Sequence, residues 1–113
     1  MDVSFILSGD EIFTLMGLFS GHTEVGERFA AGALVGAEIC DLSSLVEKKL
    51  AKRVGDSLEI EPVVRMVADA MARADSATNK DDKWEIDSPW ISLQCEQYPY
   101  QANHWKITPL QRS

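Results

Sequence analysis

The fold of this chain is decided by the stretch WEIDSPWISLQCEQYPYQANHWKIT, which covers residues 84–108. All three tryptophans and both tyrosines of the 113 residues lie in this stretch. Residues 90–96 have the pattern of a strand with one buried face, because apolar and polar side chains alternate from residue 91 onward. After a loop, Trp105 and Ile107 fall on one side of a second strand. We therefore expect an antiparallel pair of strands whose apolar side covers the remainder of the molecule.

The residues that begin the chain have the spacing of one short strand and two helices. Residues 3–7 alternate as a strand does, and Ser8 and Glu11 then form a capping box, in which each side chain binds a free backbone N–H of the first helical turn. Apolar side chains at helical spacing predict a first helix over residues 9–19 and a second over residues 25–36. The second helix is rich in alanine and glycine, which indicates close packing against a neighbour.

Two further helices are predicted in the middle of the chain. Leucine and valine side chains form an apolar stripe over residues 43–54, which predicts the third helix. Pro62 is suited to the first position of a fourth helix, which we expect to reach Ala77. Residues 57–60, between these helices, are too few for more than one strand or a turn. The polar residues 78–83 are interpreted as a linker.

The order of these elements resembles that of a winged-helix domain with an added helix before its wing. Residues 42–60 carry the resemblance, since they look like a third helix that is followed by a β-strand. The resemblance implies an α+β fold with a winged-helix-like body of about four helices and a C-terminal antiparallel β-hairpin or small sheet. Residues 1–113 then form a single domain, mainly helical over 1–77 and β-structured over 84–110. Residues 5–11 are also similar to the start of small bacterial proteins of unknown function, distantly reminiscent of type VII secretion chaperones.

The composition is that of a folded protein, with 45% hydrophobic and 26% charged residues. No apolar run approaches the roughly 20 residues that span a bilayer, and the start of the chain lacks the basic and apolar segments of a signal peptide. Cys40 and Cys95 do not form a CxxC pair, and we expect two reduced thiols rather than a disulfide. These features predict a cytoplasmic protein.

The formal net charge of −7 argues against a nucleic-acid partner, because DNA binding releases counterions from phosphates and needs a basic surface. Residues 1–40 hold six acids against a single base. A winged-helix transcriptional regulator that binds DNA through helix 43–54 is an alternative, supported by fold analogy alone. A further alternative is an acidic inhibitor of a nucleic-acid-binding protein. The one basic cluster lies on the predicted third helix and consists of Lys48, Lys49, Lys52 and Arg53.

No motif in the chain fixes a reaction. The two histidines, His22 and His104, are 82 positions apart, and neither HExxH nor CxxC spacing occurs, so a metal site has no support. Cys95 and His104 lie on facing strands, but the strand phase directs them to opposite sides and no oxyanion loop flanks either residue. We therefore expect a protein that is not an enzyme, with no catalytic residue, metal, cofactor, small-molecule ligand or membrane partner.

The aromatic side chains divide into core and surface by strand phase. Trp105 shares a side with Ile107 and is predicted to lie in the core, whereas Trp90 falls on the opposite, polar side of its strand. Tyr98 and Tyr100 flank a proline at the tip of the loop. Exposed Trp and Tyr beside polar residues are typical of protein-contact anchors. Trp90, Tyr98 and Tyr100 are thus the predicted site for a protein partner or a second copy in a homodimer, with packing of the hairpin on itself as the alternative.

Overall fold

The computed structural model describes residues 4–110, which form four helices and seven strands. Most of the chain over residues 76–110 is strand, so the protein is richer in β-structure than its apolar spacing suggests. In chain order the elements are β1 (Phe5–Ser8), α1 (Gly9–Met16), α2 (Glu24–Ala33), α3 (Ser44–Glu47), β2 (Ala51–Val54), β3 (Ser57–Ile60), α4 (Pro62–Ala72), β4 (Ser76–Lys80), β5 (Lys83–Asp87), β6 (Ser92–Gln97) and β7 (His104–Leu110).

Five of the strands form one antiparallel sheet in the order β1-β7-β6-β5-β4. The predicted pair of C-terminal strands is confirmed as β6 and β7, in which Cys95 lies opposite Ile107. The predicted N-terminal strand is confirmed as β1, which places Phe5 opposite Ile107 on the other side of β7. β2 and β3 form a separate hairpin. The sheet is therefore the main scaffold of the protein, rather than an appendage to a helical body.

The prediction of a winged-helix-like body is wrong, because the predicted third helix over residues 43–54 does not form. Its helical part is the single turn α3, after which Lys49 adopts a φ of +63° and Leu50 donates its N–H to the carbonyl of Leu45 at 2.8 Å. The chain then runs as β2 and turns back at Gly55, whose φ is +62°. Pairing of β2 with β3 supplies the hydrogen bonds that a continued helix would have made.

The predicted linker over residues 78–83 is also wrong, since these residues belong to the hairpin of β4 and β5. Asp81 and Asp82 form the two-residue turn, with φ values of +53° and +65° that match the twist of adjoining strands. Helix α4 ends at Ala72 and not at Ala77, because the N–H of Asp75 already bonds to the carbonyl of Asp87 at 2.7 Å.

The helices pack against one face of the five-stranded sheet, and the other face is open and polar. The sequence pattern assigns Trp84 to neither the core nor the surface. In the structure its ring packs edge-on against that of Phe29 in α2, with ring centroids 5.3 Å apart. The predicted core position of Trp105 is confirmed, because the residue is buried. The largest fully buried side chains are Leu7, Ile12, Leu15, Met16, Phe29, Leu45, Val64, Val67, Met71, Ile86, Leu93 and Ile107.

Candidate functional site

The three aromatic residues of the predicted contact site do not lie together. Trp90 belongs to the connection before β6 and is 48% exposed, whereas Tyr98 and Tyr100 follow β6. The strand between them has six residues and is about 20 Å long. Tyr100 is 84% exposed, and its ring meets that of Tyr98 in a T-shaped contact with centroids 5.3 Å apart. The two tyrosines are thus one small surface, and Trp90 is another.

The basic residues predicted for DNA binding are distributed over three structural settings. Lys48 forms an ion pair with Glu11, and Lys49 occupies the tight turn after α3. Lys52 and Arg53 are consecutive residues of β2, so their side chains point to opposite faces of the hairpin. No helix presents these four side chains on one face, and the recognition helix of the transcriptional-regulator alternative does not exist in the described chain.

Cys95 and His104 lie on opposite faces of the sheet, as the strand phase predicts. Cys95 is buried on the core face, and this burial raises the pKa of its thiol to about 12. The His104 imidazole instead donates from Nδ1 to the carbonyl of Ala102 at 2.8 Å. Within residues 4–110, no three His, Cys, Asp or Glu side chains are close enough together to hold a metal ion.

Glu11 is a buried charged side chain, and both of its carboxylate oxygens accept hydrogen bonds. The predicted capping box is confirmed: Ser8 Oγ accepts from the N–H of Glu11, and Oε1 of Glu11 accepts from the N–H of Ser8 at 2.7 Å. Ser44 donates to Oε2 and Lys48 to Oε1. Burial is the strongest single influence and by itself raises the pKa of Glu11, but the hydrogen bonds from Lys48, Ser44 and Ser8 and the charge of Lys48 together leave that pKa below its ordinary value. These contacts are consistent with a structural role.

A larger feature is an apolar depression between α1 and α2, which we call the α1–α2 pocket. It has a volume of about 440 Å³ and opens to solvent. The loop between α2 and α3 forms one wall, and two hydrogen bonds hold it against α1. The N–H of Glu38 donates to Oδ1 of Asp10, and the N–H of Cys40 donates to Oγ1 of Thr14, both at 2.9 Å. The residues that line the pocket are Phe13, Thr14, Met16, Gly17, Leu18, His22, Glu27, Ala30 and Ile39.

The α1–α2 pocket leaves several large apolar side chains in contact with water. Leu18 is 58% exposed, Ile39 is 80% exposed, and Phe13 is also exposed. Sequence reasoning missed Phe13 and Leu18 because it followed the buried stripe of the first helix predicted over residues 9–19, and it missed Ile39 because that residue lies in the loop between α2 and α3. The available signal was the position of Phe13 and Leu18 outside that stripe, since large apolar side chains on the outer face of a helix form an exposed patch when they are grouped.

A second apolar depression adjoins the first, and we call it the hairpin groove. It has a volume of about 530 Å³ and lies between the end of α1 and the β2–β3 hairpin. Leu18 lines both depressions and therefore separates them as a shared wall. The remaining lining residues of the hairpin groove are Phe19, Val54, Ser57, Leu58, Glu59, Ile60 and Arg65.

The charge near the α1–α2 pocket is negative. Glu27 lines the pocket, and Glu24 lies one helical turn before it on α2. Asp10 and Glu38 meet at the wall that the loop forms against α1. These four acidic residues are exposed. Arg28, also exposed, is the single Lys or Arg within α1, α2 and the loop that follows α2 to residue 40. A ligand with positive charge beside an apolar group therefore matches the pocket and its rim.

Comparison of the chain with family models, with curated proteins and with solved structures gives no match. Among the helices of residues 4–110, none is long and apolar enough to cross a membrane.

Proposed function

We propose that this protein is a noncatalytic protein-interaction domain whose contact surface is the α1–α2 pocket. The observation that carries the proposal is the open depression of about 440 Å³ beside the exposed side chains of Phe13, Leu18 and Ile39. Covering apolar surface is worth about 25 cal/mol per Å², so a partner that fills the pocket gains binding free energy. Exposed apolar patches with polar rims are typical of protein contact sites.

The polar groups of the pocket favour a protein side chain over a polar small molecule. Small-molecule sites combine a mostly apolar lining with a small number of free polar groups that fix the orientation of the ligand. Here the His22 imidazole donates from Nε2 to the carbonyl of Met16 at 2.7 Å. Thr14 donates to the carbonyl of Asp10 and accepts from the N–H of Cys40. Both groups are thus used inside the chain, and Glu27 remains as the charged group at the opening.

The aromatic residues Trp90, Tyr98 and Tyr100 remain a separate prediction for a protein partner or a second copy. The exposure of Trp90 and Tyr100 favours them as contact residues, although they lie at opposite ends of β6. The pocket is preferred because its exposed side chains surround one concave surface. The two surfaces predict different effects of mutation and can be compared in one experiment.

The test is selection of a phage-displayed random peptide library on the full chain, followed by binding measurements on two double variants. The pocket variant carries Phe13→Ser and Ile39→Ser, and the aromatic variant carries Trp90→Ser and Tyr100→Ser. All four side chains are exposed, so we expect both variants to fold. Circular dichroism and thermal unfolding check this before binding is measured.

We expect the selected peptides to lose affinity for the pocket variant and to retain it for the aromatic variant. The opposite result overturns the pocket and identifies the aromatic residues as the contact surface. Failure to select any peptide that binds the folded chain contradicts the proposed interaction function. Light scattering after size-exclusion chromatography of the wild type and the aromatic variant shows whether a second copy binds through Trp90 or Tyr100.

A further inference from the structure

We infer that the α1–α2 pocket and the hairpin groove together bind one basic amphipathic segment of a protein partner. This inference rests on the proposed function and adds the chemistry of the partner. It is carried by two observations: the shared wall at Leu18 and the negative charge around the α1–α2 pocket.

The shared wall indicates a ligand with at least two apolar anchors. Leu18 stands between the depressions, and its exposed side chain can pack against the ligand on both sides. Phe13 and Ile39 border the first depression, and Val54, itself exposed, borders the second. An amphipathic helix carries apolar side chains at positions i, i+3 or i+4, and i+7, and this spacing places successive anchors in neighbouring pockets of a groove.

The rim charge indicates that the partner is basic at the end that enters the α1–α2 pocket. Glu27 lines this pocket, and Glu24 lies one turn away on α2. Asp10 and Glu38 lie outside the lining, where the N–H of Glu38 donates to Asp10 in the loop that leads to Ile39. The hairpin groove is balanced, because it contains the acid Glu59 and the base Arg65. Lys or Arg beside the first anchor therefore meets complementary charge, whereas the second anchor meets a surface without net charge.

The same carboxylates disfavour two other occupants. A second copy of this chain docked pocket against pocket would place its own acidic rim against the first, because all lining residues fall within residues 1–40, which hold six acids and one base. An anionic lipid surface would also be repelled. Like charges brought together across an interface cost binding free energy and slow association.

The experiment measures binding of three synthetic peptides of about 18 residues, roughly five helical turns, to the full chain by fluorescence anisotropy. The first has Leu and Lys arranged as an amphipathic helix. The second has the same Leu positions with Glu in place of Lys. The third has the Leu/Lys composition in a shuffled order without an apolar face. We expect the first to bind most tightly, with an affinity that decreases as salt increases.

Two pairs of matched variants locate the binding. Glu27→Lys changes the charge at the α1–α2 pocket, and Glu85→Lys makes the same change at an exposed position of β5 on the open face of the sheet. Leu18→Ser removes the shared wall, and Leu110→Ser removes an exposed leucine of β7. We expect Glu27→Lys and Leu18→Ser each to weaken binding of the Leu/Lys peptide by roughly tenfold or more, and the controls to change it less than threefold.

The outcomes separate this inference from the proposed function. Equal binding of the Leu/Lys and Leu/Glu peptides, or equal effects of Glu27→Lys and Glu85→Lys, overturns the basic partner and leaves the pocket as an interaction site. Binding that Leu18→Ser does not weaken overturns the two-anchor surface. If no amphipathic peptide binds while library peptides bind at Phe13 and Ile39, the further inference fails alone. If library peptides also do not bind there, both proposals fail.

Discussion

Lys48 Nζ lies 2.6 Å from Oε1 of Glu11, and this ion pair joins the turn after α3 to the first turn of α1. Glu11 is only 3% exposed, whereas the Lys48 side chain is 30% exposed. The Glu11 carboxylate is thus removed from water, whereas the Lys48 side chain is still partly exposed to solvent. Removal of one member of such a pair leaves a buried charge without its counter-charge, which destabilises the fold more than the pair itself stabilises it.

We predict that Lys48→Met lowers the free energy of unfolding by about 2 kcal/mol. Loss of one partner from a fully buried pair costs roughly 3–5 kcal/mol, and the partial exposure of Lys48 reduces this value. Urea denaturation at neutral pH measures the change. Lys49→Met is the matched control, because Lys49 is exposed in the same turn. Equal loss in both variants would contradict a specific role for the pair.

The low pKa of Glu11 also predicts how stability depends on pH. A carboxyl whose pKa is lower in the folded state adds stability above its unfolded pKa, and this contribution disappears as pH falls through the folded pKa. We expect Glu11→Gln to be less stable than the wild type at neutral pH and the difference to shrink below the ordinary pKa of Glu. Denaturation at a series of pH values measures this difference. A difference that stays constant with pH would show that Glu11 is not stabilised in its charged form.

The two cysteines are predicted to differ strongly in reactivity. Burial holds the pKa of Cys95 at about 12, so its thiol is protonated at neutral pH and is also covered by the core. Cys40 lies in the loop beside α1 and is partly exposed. We expect one thiol to react rapidly with a disulfide reagent in the native protein and the second only in denaturant. Cys40→Ser should abolish the rapid reaction, and persistence of that reaction would contradict the burial of Cys95.

Local signals in the sequence predicted part of the fold correctly. The capping box of Ser8 and Glu11 depends on residues three positions apart, and the alternation that predicted β6 depends on neighbours along one strand. The third helix was mispredicted because its apolar spacing fits a helix over 43–54, whereas the turn at Lys49 and the pairing of β2 with β3 decide the structure. The hydrogen bonds between β2 and β3 join two separate segments, and the apolar spacing within one segment does not reveal them.

Neither β4, at the edge of the sheet, nor the α1–α2 pocket was predicted, because neither leaves a clear pattern in the local sequence. β4 is exposed along most of its length, so it has no alternating apolar side chains and reads as a polar linker. Phe13 and Leu18 gave a signal, but only the tertiary structure places Ile39 on the same depression. A surface built from α1, α2 and a loop requires the tertiary structure, whereas the acidity of its region was visible in the composition of residues 1–40.

We predict that replacing the Asp81–Asp82 turn by Asn–Gly stabilises the protein by about 1 kcal/mol. Both positions have positive φ, which Asn and Gly adopt at lower cost than Asp in a two-residue hairpin turn. The change also removes two neighbouring like charges. Thermal unfolding measures the gain as a higher Tm. Asp56→Asn is the control for loss of charge in a different exposed turn, and an equal gain there would contradict the backbone explanation.

Gly26 allows α2 to approach the end of α4 closely, and we predict that Gly26→Ala destabilises the protein by about 2 kcal/mol. A Cβ at this position would lie 2.2 Å from the carbonyl oxygen of Ala72, which also accepts the N–H of Thr23 at 3.0 Å. Overpacking costs roughly 1–3 kcal/mol or more, and this cost exceeds the gain of about 1 kcal/mol in helix propensity.

The comparison for Gly26→Ala is Gly32→Ala in the same helix. There the new Cβ would lie 3.2 Å from the ring of Trp84, a side chain that can shift, so crowding and helix propensity nearly cancel. Urea denaturation of the two variants measures both effects. Because α2 carries Glu27 and Ala30, a displaced α2 should also weaken binding at the α1–α2 pocket in Gly26→Ala and leave it nearly unchanged in Gly32→Ala. Equal stability of the two variants would show that α2 does not dock on the Ala72 carbonyl.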